Sequence, residues 1–191
     1  MMINHYLEYL TGFQEALTLM KTKEYSGSII EVAELIIDTV KERRPILICG
    51  NGGSAADASH IAAELVCRFE SNREPLKAIS LTTDTSLLTA IGNDLGYERV
   101  FSRQVEALGE AGGLLWVIST SGKSPNIKLA IKAAKAIGMK VLLMTGNNVP
   151  LELECDYVIN APSQRTAYIQ ELHRLVYHFI CLEVERSLPI S

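Results

Sequence analysis

From Pro45 onward, short apolar runs alternate with stretches of helical periodicity, and nothing constrains the fold of this chain more. Ile46-Leu47-Ile48-Cys49 reads as a strand, followed by a glycine-rich turn and a helix over about residues 54–69. Ala78-Ile79 marks a second strand, with helices near 84–92 and 98–108. Leu114-Leu115-Trp116-Val117-Ile118 is the clearest strand; a serine-rich loop and a helix over 125–137 follow it. Lys140 to Met144 and Tyr157-Val158-Ile159 complete the strands, and a helix runs from about Ser163 to Arg186 with Pro162 as its start signal. Such alternation implies an α/β fold with a parallel sheet and helices on both faces. Ligands in such folds bind at the carboxyl ends of the strands.

The first forty-odd residues differ. Tyr6, Tyr9, Leu10, Phe13, Ala16, Leu17 and Met20 recur at helical spacing, as do Ile29, Ile30, Val32, Ala33, Ile36, Ile37 and Val40. Two helices alone cannot bury faces this broad. The expectation is a helical hairpin over 1–44 that packs on the domain of residues 45–191 or on a neighbouring subunit.

Composition narrows the class. With 191 residues, 48% of them hydrophobic, the chain suits one globular domain with a small extension. A net charge of −4 provides no electrostatic footprint for nucleic acid. Uncharged stretches are too short to span a bilayer, and the first residues lack the pattern of a signal peptide, so the expected location is the cytoplasm. The cysteines Cys49, Cys67, Cys155 and Cys181 are far apart and read as reduced core residues.

Two loops at the carboxyl edge carry the chemistry. In Gly50-Asn51-Gly52-Gly53-Ser54, glycines let a ligand approach the backbone, and the following helix start offers free N–H groups. Gly50 to Ala55 also fits the short dinucleotide signature, but Glu70, at the right separation for the acidic partner, precedes the next strand instead of ending it. No lysine follows the glycines, which excludes a Walker A loop. The next helix carries Asp57, His60 and Glu64. His60 and Glu64, four apart, share a face and suit either a metal or an acid–base pair; the plainer alternative is a solvated polar face. Their position within three turns of the loop favours the chemical readings.

Ser119-Thr120-Ser121-Gly122-Lys123-Ser124 follows the best strand and opens a helix. A cap needs one hydroxyl; hydroxyls at 119, 120, 121 and 124 make a phosphate cradle. On the last helix Gln170, Arg174 and His178 form an i, i+4, i+8 row, but a histidine among apolar residues is ordinarily a core group, and taken alone both His173 and His178 read that way.

Taken in order, Cys49 to Leu65 with Arg68-Phe69-Glu70, Thr89 to Asp94 with Gly96-Tyr97, Ile118 to Ser124, and Ile169 to His173 with His178 resemble the phosphoheptose isomerases of the sugar-isomerase (SIS) superfamily. That resemblance implies a three-layer α-β-α sandwich with a five-stranded, flavodoxin-like parallel sheet, and a homotetramer with active sites near subunit interfaces. It implies one Zn2+ per subunit on His60, Glu64, Gln170 and His178, with Glu64 and His178 as the catalytic pair. Substrate contacts fall to Asn51, Gly52, Gly53, Glu64, Asn93, Asp94, Ser119, Thr120, Ser121, Ser124 and Gln170, with Arg68 nearby. The implied reaction converts sedoheptulose 7-phosphate to D-glycero-D-manno-heptose 7-phosphate through an enediol(ate), the first step toward nucleotide-activated heptose for bacterial surface polysaccharide. The departures, Ser59 before the histidine and Lys123 in the serine loop, fall on no residue with a chemical role.

The chemistry agrees with the residues. A proton moves between C1 and C2 with no net redox change, so no nicotinamide is needed. The phosphate supplies binding energy remote from the reacting carbons. Gln170 and His178 lie about 12 Å apart along a regular helix, so both reach one ion only if each extends toward it. The alternatives are a non-catalytic SIS protein that binds a replication initiator, or an isomerase of another sugar phosphate. The non-catalytic relatives lose the Glu and the final His that stand here at 64 and 178.

Overall fold

A computed structural model describes residues 1–147 and 153–189. Its helices are α1 (Met2–Leu19), α2 (Lys23–Lys41), α3 (Gly53–Val66), α4 (Thr85–Asp94), α5 (Ser102–Leu108), α6 (Pro125–Ile137) and α7 (Thr166–Arg186). The strands are β1 (Ile46–Gly50), β2 (Ala78–Ser80), β3 (Leu114–Ile118), β4 (Lys140–Thr145) and β5 (Tyr157–Asn160). They form one parallel sheet in the order β2-β1-β3-β4-β5. The chain therefore leaves β1 toward one edge, returns, and continues toward the other. The crevice between the carboxyl ends of β1 and β3 is the switch point where such sheets bind ligands.

Period-two alternation sorts the strand residues between two cores. Ile46, Ile48, Leu114, Trp116 and Ile118 face the layer built from α2, α3 and α7. Leu47, Cys49, Leu115 and Val117 face the layer built from α5 and α6. Every residue of β1 and β3 is buried, as a sheet covered on both sides requires. This is the three-layer α/β sandwich with a five-stranded sheet expected from the sequence.

The two N-terminal helices behave differently from each other. α2 is capped by Thr22, whose side chain accepts from the Tyr25 N–H at 3.3 Å, and it buries Val32, Ala33, Ile36 and Val40 in the main core. α1 buries only Ala16 along its length, though the Tyr168 hydroxyl donates to the Tyr9 carbonyl at 2.6 Å. Met2, Ile3, Tyr6, Leu7 and Leu10 remain exposed.

Three helix boundaries move from their predicted places. α3 ends at Val66 instead of 69 because the N–H groups of Phe69, Glu70 and Ser71 bond the Glu185 carboxylate, at 2.9, 2.9 and 2.6 Å. The helix predicted from 98 becomes a single 3-10 turn (Tyr97–Arg99) and then α5, since Val100 and Phe101 turn inward between them and are fully buried. α7 starts at Thr166, because the Ser163 hydroxyl accepts from the Arg165 N–H at 3.1 Å and holds a local turn. Of the free cysteines, Cys49 and Cys181 are buried as expected. Cys67, at the open end of α3, is exposed, and Cys155, on the approach to β5, is half-buried.

Candidate active site

The site grows from the ends of β1 and β3. After β1, Gly52 takes a φ of 58° that a side chain would strain, and α3 begins one residue later. A Cβ on Gly53 would collide with the Gln170 amide, which is how closely α7 approaches this turn. Asn51 is fixed across the crevice: it and Asn126, at the start of α6, exchange side-chain hydrogen bonds of 3.0 and 2.9 Å. The Tyr97 hydroxyl donates to Asn51 Oδ1 at 3.4 Å, which brings the end of α4 to the mouth of the loop. There Asn93 and Asp94 stand exposed, joined by a 2.7 Å bond from Asn93 Nδ2 to Asp94 Oδ1.

The serine loop closes on itself and opens outward. Ser119 Oγ accepts from the Gly122 N–H at 3.1 Å, and Ser121 Oγ from the Lys123 N–H at 3.3 Å. Ser124 precedes α6 without a side-chain cap bond, so its hydroxyl is not consumed as an ordinary cap. Thr120, Ser121 and Lys123 line a cavity of about 280 Å³ whose opposite wall is Ser163, Gln164 and Thr166, with Gly146 and Ile169 behind. No local pattern in the sequence announces that opposite wall. A run of small polar residues before a helix was the only signal, and it reads equally well as a capping turn. Lys123, one of the two departures from the family pattern, adds a cation to the cavity rim.

α3 and α7 run parallel, in register. Gln170 lies on Gly53, Arg174 meets Asp57 and Tyr177 meets His60, all at an offset of 117 residues. In the middle of this pair lie the ionisable groups. His60 Nε2 is 2.9 Å from Glu64 Oε1, and its Nδ1 is 3.1 Å from the Tyr177 hydroxyl. That hydroxyl also lies 3.3 Å from Asp57 Oδ1 and accepts from Arg174 Nε at 3.1 Å. The His178 ring stands edge-on to His60, with centroids 5.0 Å apart, beside Phe69 at 5.7 Å. Burial, and then the charge of His60, hold the His178 imidazole below its ordinary value against the pull of Glu64. A neutral imidazole of this kind can take a proton from a sugar hydroxyl. Burial pushes the Tyr177 phenol up to about 12, so it keeps its hydrogen.

Thus His60, Glu64 and His178 come together, and Gln170 stands about 10 Å further up the helix pair, at the level of Gly53. Among the described residues no three His, Cys, Asp or Glu side chains already form a closed metal cage. The donor chemistry suits zinc nonetheless: an imidazole and a carboxylate stand at 2.9 Å, close to the spacing of neighbouring zinc ligands, with a second imidazole adjacent. Arg68 is exposed and donates to Asn72 Oδ1 at 2.7 Å. Ser59 lies 3.1 Å from the Thr82 hydroxyl, near the β2 edge. His173 is fully buried, its Nε2 3.0 Å from the Thr145 carbonyl, and it is a core group as read.

A doubly wound sheet with a hydroxyl-lined cavity at its carboxyl edge, and a carboxylate–imidazole cluster further along the α3–α7 pair, agrees with the SIS class of sugar-phosphate proteins, and residues 6–146 match the SIS domain family. A phosphoheptose isomerase from Synechocystis sp. is 50% identical over 167 residues, covering 87% of this chain and 86% of its own. The solved structure of a phosphoheptose isomerase from Neisseria gonorrhoeae aligns with a TM-score of 0.83 at 42% identity over 97% of both chains. One from Francisella tularensis aligns with a TM-score of 0.93 at 33% identity, over 97% of this chain and 99% of its own. The chain belongs to the phosphoheptose isomerase family.

Proposed function

We propose that this chain isomerises sedoheptulose 7-phosphate to D-glycero-D-manno-heptose 7-phosphate, supplying activated heptose for bacterial surface polysaccharide. The observation that carries the reading is the convergence of Glu64 and His178 on His60 within a chain half identical to phosphoheptose isomerases. Glu64 moves the proton between C1 and C2, and His178 exchanges a proton with the sugar oxygens. Ser119, Thr120, Ser121 and Ser124 receive the phosphate, and Asn51, Gly52, Gly53, Asn93, Asp94 and Gln170 contact the sugar. Lys123 and the facing Ser163, Gln164 and Thr166 extend the phosphate cavity. His60, Glu64 and His178 would hold one Zn2+ per subunit, and Gln170, whose amide lies against Gly53 in this structure, would join as the fourth donor only by swinging its side chain along the helix toward the ion. When bound, the metal polarises the carbonyl and lowers the cost of the enediolate charge.

The protein works as a homotetramer in the cytoplasm. Support for association comes from the exposed apolar residues of α1, together with Leu175 at 49% and Phe179 at 40% exposure on α7, beside the candidate site. Among the described residues no helix is long and apolar enough to cross a membrane.

The test is an NMR assay of the purified protein with sedoheptulose 7-phosphate, before chelation, after it, and with zinc restored. Aldoheptose 7-phosphate that disappears with chelator and returns with zinc is the expected result. Turnover indifferent to the chelator removes zinc and leaves Glu64 and His178 as direct catalysts. No turnover by the intact oligomer overturns the substrate assignment.

A further inference from the structure

We propose that Arg165 is a positioning residue for the candidate phosphate cavity. Clasped by Tyr9 of α1 and Tyr168 of α7, it holds the wall of Ser163, Gln164 and Thr166 in place opposite the serine loop. The inference rests on the reading of that cavity as the phosphate site.

The wall has few bonds of its own. The Ser163 N–H donates to the Ala161 carbonyl at 2.8 Å and the Arg165 N–H to Ser163 Oγ at 3.1 Å, both inside the turn that precedes α7. α7 itself starts without a side-chain cap bond. Among the described residues, the side-chain contact that carries this turn to another helix is made by Arg165. Its neighbours in the chain line the cavity, while its guanidinium lies over the Tyr9 ring, with Cζ 4.4 Å from the centroid, and over the Tyr168 ring at 4.8 Å.

The clasp is complete in its donors and acceptors. Arg165 Nη1 donates to the Tyr168 hydroxyl at 3.2 Å, and that hydroxyl spends its one hydrogen on the Tyr9 carbonyl at 2.6 Å. The two rings meet edge-on, with centroids 4.8 Å apart. A Cβ on Gly12 would stand 3.1 Å from the Tyr168 hydroxyl, so a glycine there lets α1 come this close. Among the described residues no carboxylate pairs with Arg165; the faces of two rings hold its charge, a role that suits a flat guanidinium. The cation is thus occupied outside the cavity, and Arg165 acts on a bound phosphate through the wall. Loosening the wall weakens a contact remote from the reacting carbons, which raises KM and spares kcat.

The experiment measures KM and kcat of the full chain for sedoheptulose 7-phosphate, with amide hydrogen exchange at residues 163–166 as a second readout. Arg165 is exposed, so its variants should fold. Arg165→Ala should raise KM about five- to tenfold and quicken exchange at the wall, with kcat within about twofold of the parent. Arg165→Lys keeps the charge but loses the flat group that two rings can hold, and should behave like the alanine variant. Tyr168→Phe keeps the buried ring, loses both hydroxyl bonds, and should raise KM about threefold. The Tyr9 hydroxyl makes no bond among the described residues, so Tyr9→Phe should match the parent, while Tyr9→Ala should match Arg165→Ala. A lysine that restores KM overturns the clasp in favour of a long-range charge effect. An unchanged KM or unchanged exchange in Arg165→Ala, or a fall in kcat larger than the rise in KM, also overturns it. Should the parent show no turnover, inorganic phosphate titrated into 15N-labelled samples replaces KM. Shifts at 163–166 that the variants weaken keep the clasp and overturn the substrate assignment alone; no such shifts in the parent overturn the cavity reading and the clasp with it.

Discussion

The two poles of the candidate site are built on different principles. At the β1 and β3 ends, the serine loop makes few bonds of its own, and Thr120, Ser121 and Lys123 face a cavity. Along the α3–α7 pair, Asp57, His60, Glu64, Arg174 and Tyr177 are joined by an unbroken run of contacts between 2.9 and 3.3 Å. One pole offers hydroxyls that a phosphate can organise. The other has its acceptors and donors placed in advance, as proton transfer requires. The comparison teaches that a change at the first pole should act mainly on binding, and a change at the second on turnover.

The strongest attempt to break this contrast removes the acid–base groups. Glu64→Gln and His178→Ala should each lower kcat by about a thousandfold, a typical loss for a general acid or base, with the oligomer intact by sedimentation. Retained turnover in both would sink the assignment of the pair.

A control lies at the far end of the same two helices. Burial alone would raise the Glu185 carboxyl, but the N–H groups of Phe69, Glu70 and Ser71 and the Arg73 guanidinium outweigh it and hold the carboxyl below its ordinary value. Glu185→Gln should cost about 3 kcal/mol in urea unfolding, because it leaves Arg73 as an unpaired buried charge. Because the folded value is depressed, the stability from this carboxylate is complete above the ordinary glutamate range. It is lost as pH falls through the lowered folded value. The variant should therefore show a flatter acid limb than the parent. Equal acid limbs would mean that the loop after α3 is held by something else.

At the cavity, Ser121→Ala should raise KM for the phosphorylated sugar about tenfold with kcat nearly unchanged, the worth of one hydrogen bond to a charged group. Lys123→Ala should raise KM only a few-fold, and less at high salt, because Lys123 is exposed and its field is screened. A fall in kcat larger than the rise in KM in either variant would erase the distinction between the poles.

The sequence by itself determined the secondary elements, the parallel sheet and the two loops. Period-two and helical spacing are local properties, and the glycine and hydroxyl clusters announce their own chemistry. Glu64 and the serine loop were legible for that reason, whereas His178, which alone reads as a core histidine, owed its role to the resemblance. Only the tertiary structure decided which groups meet. The parallel register of α3 and α7 puts Tyr177 and Asp57 behind His60 and sets Gln170 against Gly53 instead of beside His178. It also raises Ser163, Gln164 and Thr166 as the second wall of the cavity. These contacts join residues more than a hundred, or some forty, positions apart, and no local pattern encodes them. They follow from how two helices share one face of a sheet, where burial of Ile61, Leu65, Leu172 and Val176 fixes the register and the polar groups go where that packing carries them.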